Sequence, residues 1–244
     1  NADFIVVDDL TTMHVSQTWI DGNCVFFNGN VEFALPELKH ENKFHASEIS
    51  LRELQVPYTG KAVRVIQAFN GELFTKAGRY MPSAGEYIES NTKDDILKIV
   101  VKDRYKNSAP AIGFISGFGL KKGAFATSVA HDSHNVIAIG TDDTLIMKAM
   151  NAVISARGGL AVADDDQIRL LPLPVAGLMS GETVSDVAAT YTKLSETVRK
   201  MGCTMDASFM TLSFMALLVI PELKLSDRGL FDCSTFSIAS LYCE

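Results

Sequence analysis

The sequence predicts an α+β fold: an antiparallel-rich sheet flanked by helices, preceded by a few strands of a β-sandwich. Three observations lead there. β-Branched and aromatic runs separated by Asp-Gly and Asn-Gly signals fill the first half of the chain. Well-signposted helices appear only after residue 140. Strands first, then strands mixed with helices, place the helices on a largely antiparallel sheet.

Taken in order, Phe4-Ile5-Val6-Val7 is a strand ended by Asp8-Asp9. A second run, His14 to Ile20, meets Cys24-Val25-Phe26-Phe27 across Asp21-Gly22-Asn23. Asp-Gly between apolar runs marks a hairpin, because a primed turn needs positive φ. So small a sheet is marginal in water by itself. It is expected to be completed by strands outside this chain. Glu32 to Leu51 is charged, holds Pro36, His40 and His45, and reads as a linker. The domains are therefore expected at 1–45, strands plus linker, and 46–244, the α+β domain.

Val63 to Phe69 is a strand closed by Asn70-Gly71, a second hairpin signal. Ile96–Val101 and Ala111–Ile115 are strands separated by Lys106-Asn107-Ser108 and Pro110. Ser128 to Gly140 reads as strand on either side of a polar interruption. A helix begins near Thr141-Asp142, puts Ile146, Ala149, Met150, Val153 and Ile154 on one face, and stops at Gly158-Gly159. Leu160–Ala163 and Ile168–Leu171 form strands joined through Asp164-Asp165-Asp166. The next helix opens on the capping pair Thr183 and Asp186. It carries Val184, Val187, Ala188, Tyr191, Leu194, Val198 and Met201, and ends at Gly202. A third, nearly apolar helix is expected from an Asp206 cap through the run Phe209–Ile220, up to Pro221.

Composition narrows the function classes. A net charge of -7 opposes a broad phosphate-binding surface, so nucleic acid is not expected as a partner; Lys121-Lys122 reads as a solvated turn. The apolar run Phe209–Ile220 is shorter than the roughly 20 residues a bilayer requires, so no membrane partner is expected. Cys24, Cys203, Cys233 and Cys243 form no C-x-x-C pair and read as reduced thiols of a cytoplasmic protein. Asn1 to Val7 has no secretion-signal pattern and no initiator Met, and begins in a strand. A start inside a longer protein is the expectation.

The densest polar group is His131-Asp132-Ser133-His134-Asn135, set between apolar strands. Such a cluster belongs at a strand end or tight bend, since strand interiors seldom desolvate so many polar groups. Substrate contact, a His-Asp proton relay and metal ligation are the functional readings. A polar turn bonding to nearby amides is an equal alternative. The metal reading is the weakest, because two histidines three residues apart fall short of a ligand set. Asp142 and Asp143 read as helix-start carboxylates. Asp164–Asp166 reads as a solvated turn, with calcium binding as the other reading, and His14, His40 and His45 as isolated side chains. Gly117, Gly119 and Gly123 lack the strand–loop–helix context of a phosphate loop and read as close approaches and bends.

Three long stretches carry a resemblance. G-F-G-L-K-K-G-A-F-A-T-S-V-A-H-D-S-H-N, Gly117 to Asn135, is the strongest; L-P-L-P-V-A-G-L-M-S, Leu171 to Ser180, and I-P-E-L-K-L-S-D-R-G-L-F-D, Ile220 to Asp232, support it. With Asn1-Ala2-Asp3 and Val6-Val7-Asp8-Asp9-Leu10, the chain resembles the C-terminal region of adenine deaminases in the amidohydrolase superfamily. The resemblance implies hydrolysis of adenine to hypoxanthine and ammonia, in purine salvage, by a metal-dependent enzyme. The divalent metal, Mn or Fe, would sit on a (β/α)₈ barrel outside this chain, since no His-x-His pair occurs here. The implied partners are that missing N-terminal barrel, adenine, and further copies in a homo-oligomer. No catalytic residue and no metal ligand are then expected within the chain, which alone should be inactive. His131, Asp132, Ser133, His134, Asn135, Met179 and Ser180 are the candidates for substrate contact or for orienting groups at the barrel mouth. A non-catalytic oligomerisation or binding module is the alternative, and a self-sufficient hydrolase built on His131, Asp132 and His134 a distant third.

Overall fold

The computed structural model describes residues 2–34 and 41–243. It divides into two compact units, Asn1–Lys39 and His40–Glu244. In the first, β1 (Phe4–Val7), β2 (Val15–Ile20), β3 (Asn23–Phe27) and β4 (Asn30–Val31) form one antiparallel sheet in that order. Asp21 and Gly22 take φ of 51° and 77°, the left-handed pair that the Asp-Gly signal calls for. Phe4 stacks on Trp19 across the β1–β2 pair, ring centroids 5.7 Å apart. His14, expected to be isolated, instead sets Nδ1 2.5 Å from Asp8 Oδ2, at the opposite ends of one tight loop.

The second unit is built on an eight-stranded sheet. In chain order its strands are β5 (Val63–Ala68), β6 (Thr75–Tyr80), β7 (Leu97–Lys102), β8 (Ala111–Ser116), β9 (Ala124–Thr127), β10 (Val136–Gly140), β11 (Gly159–Ala163) and β12 (Ile168–Pro172). Their spatial order is β12-β11-β9-β10-β7-β8-β5-β6, antiparallel throughout except for the parallel pair β5–β8. The helices are α1 (Asp143–Ser155), α2 (Val184–Lys200) and α3 (Ser208–Phe214). A small antiparallel sheet of β13 (Leu223–Ser226), β14 (Gly229–Asp232) and β15 (Ser237–Ile238) completes the unit. This is the α+β architecture the sequence predicts.

Period-two alternation decides which side of the sheet each residue serves. Ile137, Ile139, Leu97, Ile99, Leu160 and Val162 pack with Leu194 and Val198 of α2, Phe209 and Leu212 of α3, and Leu225 and Leu230 of the small sheet. Val136, Ala138, Ala124, Ala126, Ala161 and Ala163 face Leu145, Ile146, Ala149, Met150, Val153 and Ile154 of α1. Small residues on that side let α1 lie close; large ones opposite fill the space under two thinner layers. Each fully buried Leu, Ile or Phe contributes roughly 1.5–3 kcal/mol, so both faces are needed to hold so wide a sheet.

Several expectations are corrected. Ser128 is not in a strand: β9 ends at Thr127, because the Ser128 hydroxyl leaves the ladder to bond Gly177 and Gly159. Asp206 does not cap α3; it bonds Asn70 instead, and α3 starts two residues later behind Ala207. That helix also stops at Phe214, far short of Pro221, where the Met215 carbonyl turns to accept from the Leu225 amide. Val184 is 86% exposed, so the apolar stripe of α2 begins at Val187. Asp143 does more than face a helix start. It takes the ammonium of Lys98, a β7 residue with no solvent exposure, at 2.6 and 2.7 Å. Asp142 caps α1 as expected, accepting from Leu145 N. Residues 41–50 have no regular structure, yet Phe44 and Ile49 are buried against α1 and its neighbours. His40 lies outside the described residues.

The glycine-rich run makes bends, as its sequence context indicates. At Gly117, φ is +101° and an added Cβ would sit 2.1 Å from the Ala68 carbonyl oxygen. Its amide and that of Gly119 donate to the Asp95 carboxylate at 2.7 and 2.8 Å, so this nest is filled by the protein's own acid.

Candidate functional site

All five members of the His131–Asn135 cluster lie in the bend between β9 and β10. The bend is held from below. His131 N donates to the Ser213 carbonyl at the end of α3, and His134 N to the Ala130 carbonyl. The His131 ring stacks on Phe214 with centroids 4.8 Å apart and meets the His134 ring edge to face at 5.5 Å. His134 has a left-handed backbone, φ 52°, a conformation that costs a non-glycine residue energy. Asp132 and Ser133 are exposed; Asn135 is buried.

Asn135 ties the bend to two other elements. Its Oδ1 accepts from Arg104 N at 3.3 Å, and its Nδ2 donates to Asp227 Oδ1 at 3.3 Å. Asp227 stands in the turn between β13 and β14. Arg104 follows β7 and is only 5% exposed. Its Nη1 donates to the Ala176 carbonyl at 2.6 Å and its Nη2 to the Tyr105 hydroxyl at 2.7 Å, while the guanidinium lies 4.7 Å over the Tyr105 ring. Tyr105 in turn donates to the Ser133 carbonyl at 3.1 Å.

A second loop closes on Arg104 from the other side. Val175 and Met179 exchange backbone hydrogen bonds, both 3.0 Å, and so present the Ala176 and Gly177 carbonyls inward. Only glycine fits at 177: φ is +70°, and an added Cβ would lie 2.1 Å from Arg104 Nη1. Met179 is exposed, and the Ser180 hydroxyl accepts from Glu182 N at 3.1 Å. The structure thus brings the five bend residues together and joins their surroundings to the 175–179 loop through Ser128 and Arg104. Ser180 bonds its own turn rather than the bend.

Two polar atoms at the bend have no partner among the described residues: Arg104 Nε and His134 Nδ1, both buried. Burial holds the His134 imidazole below the usual histidine range; His131 and Arg104 push the same way, and Asp132 opposes them. His134 is therefore neutral near pH 7, able to accept or donate one proton through a nitrogen. Arg104, Tyr105, Phe214 and Asp227 are site residues that sequence reasoning missed. Only the buried-strand context of Arg104, straight after Ile99-Val100-Val101-Lys102-Asp103, hinted at a charge held for a reason.

The residues present do not fit a metal centre. The two imidazoles meet edge to face, and among the described residues no group of three or more His, Cys, Asp or Glu is arranged to hold an ion. What the bend offers is hydrogen bonding, proton exchange at two imidazoles, and a buried guanidinium.

Comparison with known proteins gives the kinship of the whole chain. The adenine deaminase from Parabacteroides distasonis is 45% identical over 243 residues, which is 99% of this chain and 45% of that protein. The adenine deaminase from Methanosarcina barkeri is 46% identical over 251 residues, 99% of this chain and 45% of its own length. That from Borreliella burgdorferi is 37% identical over 238 residues, 96% and 43% respectively. The chain thus spans less than half the length of these curated relatives. Residues 72–237 match the family described as the adenine deaminase C-terminal domain, and by that match the chain belongs to this family.

Proposed function

We propose that this chain is the C-terminal portion of an adenine deaminase, acting in purine salvage in the cytoplasm. In the whole polypeptide, water adds to the ring carbon bearing the amino group. The carbon–nitrogen bond then breaks, a proton passes to the leaving nitrogen, and hypoxanthine and ammonia result. The observation that carries this reading is the identity of 45% across 99% of the chain with a protein of that name, of which the chain covers only 45%. The bend residues do not form a metal site, so the Mn or Fe ion and the catalytic groups are assigned to the part outside this chain. The contribution assigned to the bend is support of that active site. His131 and His134, with Asp132, Ser133 and Asn135 beside them and Met179 and Ser180 on the neighbouring loop, are the residues we assign to the substrate side or to positioning. Three stretches that resemble adenine deaminases meet there: Ser128 joins Gly177, and Asn135 joins Asp227.

In the full-length enzyme, His131→Ala and His134→Ala should each lower kcat/KM at least about tenfold, the effect of roughly 1.4 kcal/mol at the transition state. Unchanged kinetics would reduce the bend to a structural turn. The chain by itself, given adenine with Mn²⁺, Fe²⁺ or Zn²⁺, should release no hypoxanthine; turnover there would sink the division of labour. A role in assembly is a second reading, favoured by the exposed Phe4, Ile5, Phe27 and Val31 of the first unit. Sizing the chain in solution tests it, a stable homo-oligomer being the supporting result.

A further inference from the structure

We infer that Arg104 and His134 form a receptor for a single carboxylate group. Arg104 as a residue is 5% exposed, its Nε is buried, and the acceptors of its guanidinium, Ala176 O and the Tyr105 hydroxyl, are both neutral. The ion pairs among the described residues join His14 to Asp8, Lys98 to Asp143 and Arg169 to Asp164; none involves Arg104. The neighbouring acid does not help, because Asp103 turns its Oδ1 to the amides of Tyr105 and Lys106. A cation out of water without an anion is costly, and removing the cost takes an acceptor of opposite charge.

Geometry suits an anion that offers two oxygens side by side, as a carboxylate does. With one Nη1 hydrogen given to Ala176 and one Nη2 hydrogen to Tyr105, three of the five donors remain; Nε–H is unpartnered and, with Nη2, forms the side-on edge of the guanidinium. Two parallel donors in one plane match two carboxylate oxygens. The unpartnered His134 Nδ1 supplies a third contact at the same bend. Tyr105, stacked on the guanidinium and exposed, holds the Nη2 position with a neutral oxygen that an anion can displace.

Two sources share this chemistry: an acidic side chain from the rest of the polypeptide, which rests on the reading above, and a free carboxylate in solution. NMR of the Arg104 Nε–H and His134 ring signals distinguishes them, and does not depend on deaminase activity. Sodium acetate titrated into this 244-residue chain, against sodium chloride at equal ionic strength, should shift both signals saturably if the source is free. Arg104→Lys, which keeps the charge but loses the fork, should weaken that response at least about tenfold. If acetate does nothing here, but the full-length polypeptide shows Arg104 Nε–H moved downfield and His134 titrating higher than in this chain, the source is a side chain. Absence of both responses overturns the proposal, and the wild-type titrations decide it even if Arg104→Lys fails to fold.

Discussion

The Ser128 hydroxyl donates to the Gly177 carbonyl at 2.6 Å and accepts from the Gly159 amide at 2.8 Å. One buried side chain thereby fastens the end of β9, the start of β11 and the 175–179 loop. Ser128→Ala leaves a buried carbonyl and a buried amide short of a partner, so a loss of about 1–3 kcal/mol is expected. Urea unfolding of the variant measures it. A shift within a few tenths would show that water or a backbone shift replaces the hydroxyl.

Lys98 and Asp143 make a different kind of link, between the centre of the sheet and the first turn of α1. The Lys98 ammonium also donates to the Leu54 carbonyl at 2.9 Å, so its bonds go to Asp143 of α1 and to Leu54, which packs beside that helix. Burial raises the Asp143 carboxyl above its usual range, and the lysine pulls it back. Removing the acid alone, Asp143→Ala, strands a buried ammonium and should cost about 3–5 kcal/mol. Lys98→Met with Asp143→Ala should recover much of that loss, measured as a double-mutant cycle in denaturant. Additive losses would mean that the pair is not coupled.

Asp95 fills the nest at Gly117 and Gly119 and itself has a left-handed backbone, φ 54°. Asp95→Ala should free both amides and destabilise the unit by about 1–3 kcal/mol, with faster hydrogen exchange at Gly117 and Gly119. Unchanged exchange at those two amides would refute the assignment.

His134 sets the sign of one pH effect. Its folded imidazole resists protonation to lower pH than in the unfolded chain, where the ordinary value is about 6.5. Between those values the unfolded state binds more protons, so stability should fall as pH drops below about 6.5 and level off beneath the folded value. His134→Asn should remove that part of the slope. The check is the wild-type minus variant difference in unfolding free energy from about pH 7.5 to 5; a flat difference contradicts it.

Much of this was legible in the chain. Asp21-Gly22 encodes its hairpin because the two left-handed residues are needed wherever the strands lie. The α1 stripe and the Asp142 cap are likewise local facts. The extent of α3 was not local. Phe209–Ile220 is apolar throughout most of its length, but Met215 to Ile220 is spent on turning toward β13, which no periodicity announces. The bend at His131 was readable as a bend, since five polar groups cannot sit inside a buried strand. What surrounds it was not: Arg104, Phe214 and Asp227 come from three separate segments, and no spacing relates them.

The sequence by itself determined the α+β class, the hairpin and cap chemistry, the polar bend, and the kinship with adenine deaminase C-terminal domains, because each is carried by short runs of neighbouring residues. Tertiary structure alone decided that Asn135 reaches Asp227, that Ser128 reaches Gly177, and that Arg104 is buried with only neutral acceptors. Those are meetings of residues far apart in the chain, and they exist only once the eight-stranded sheet and its two covering layers have fixed where each loop must end.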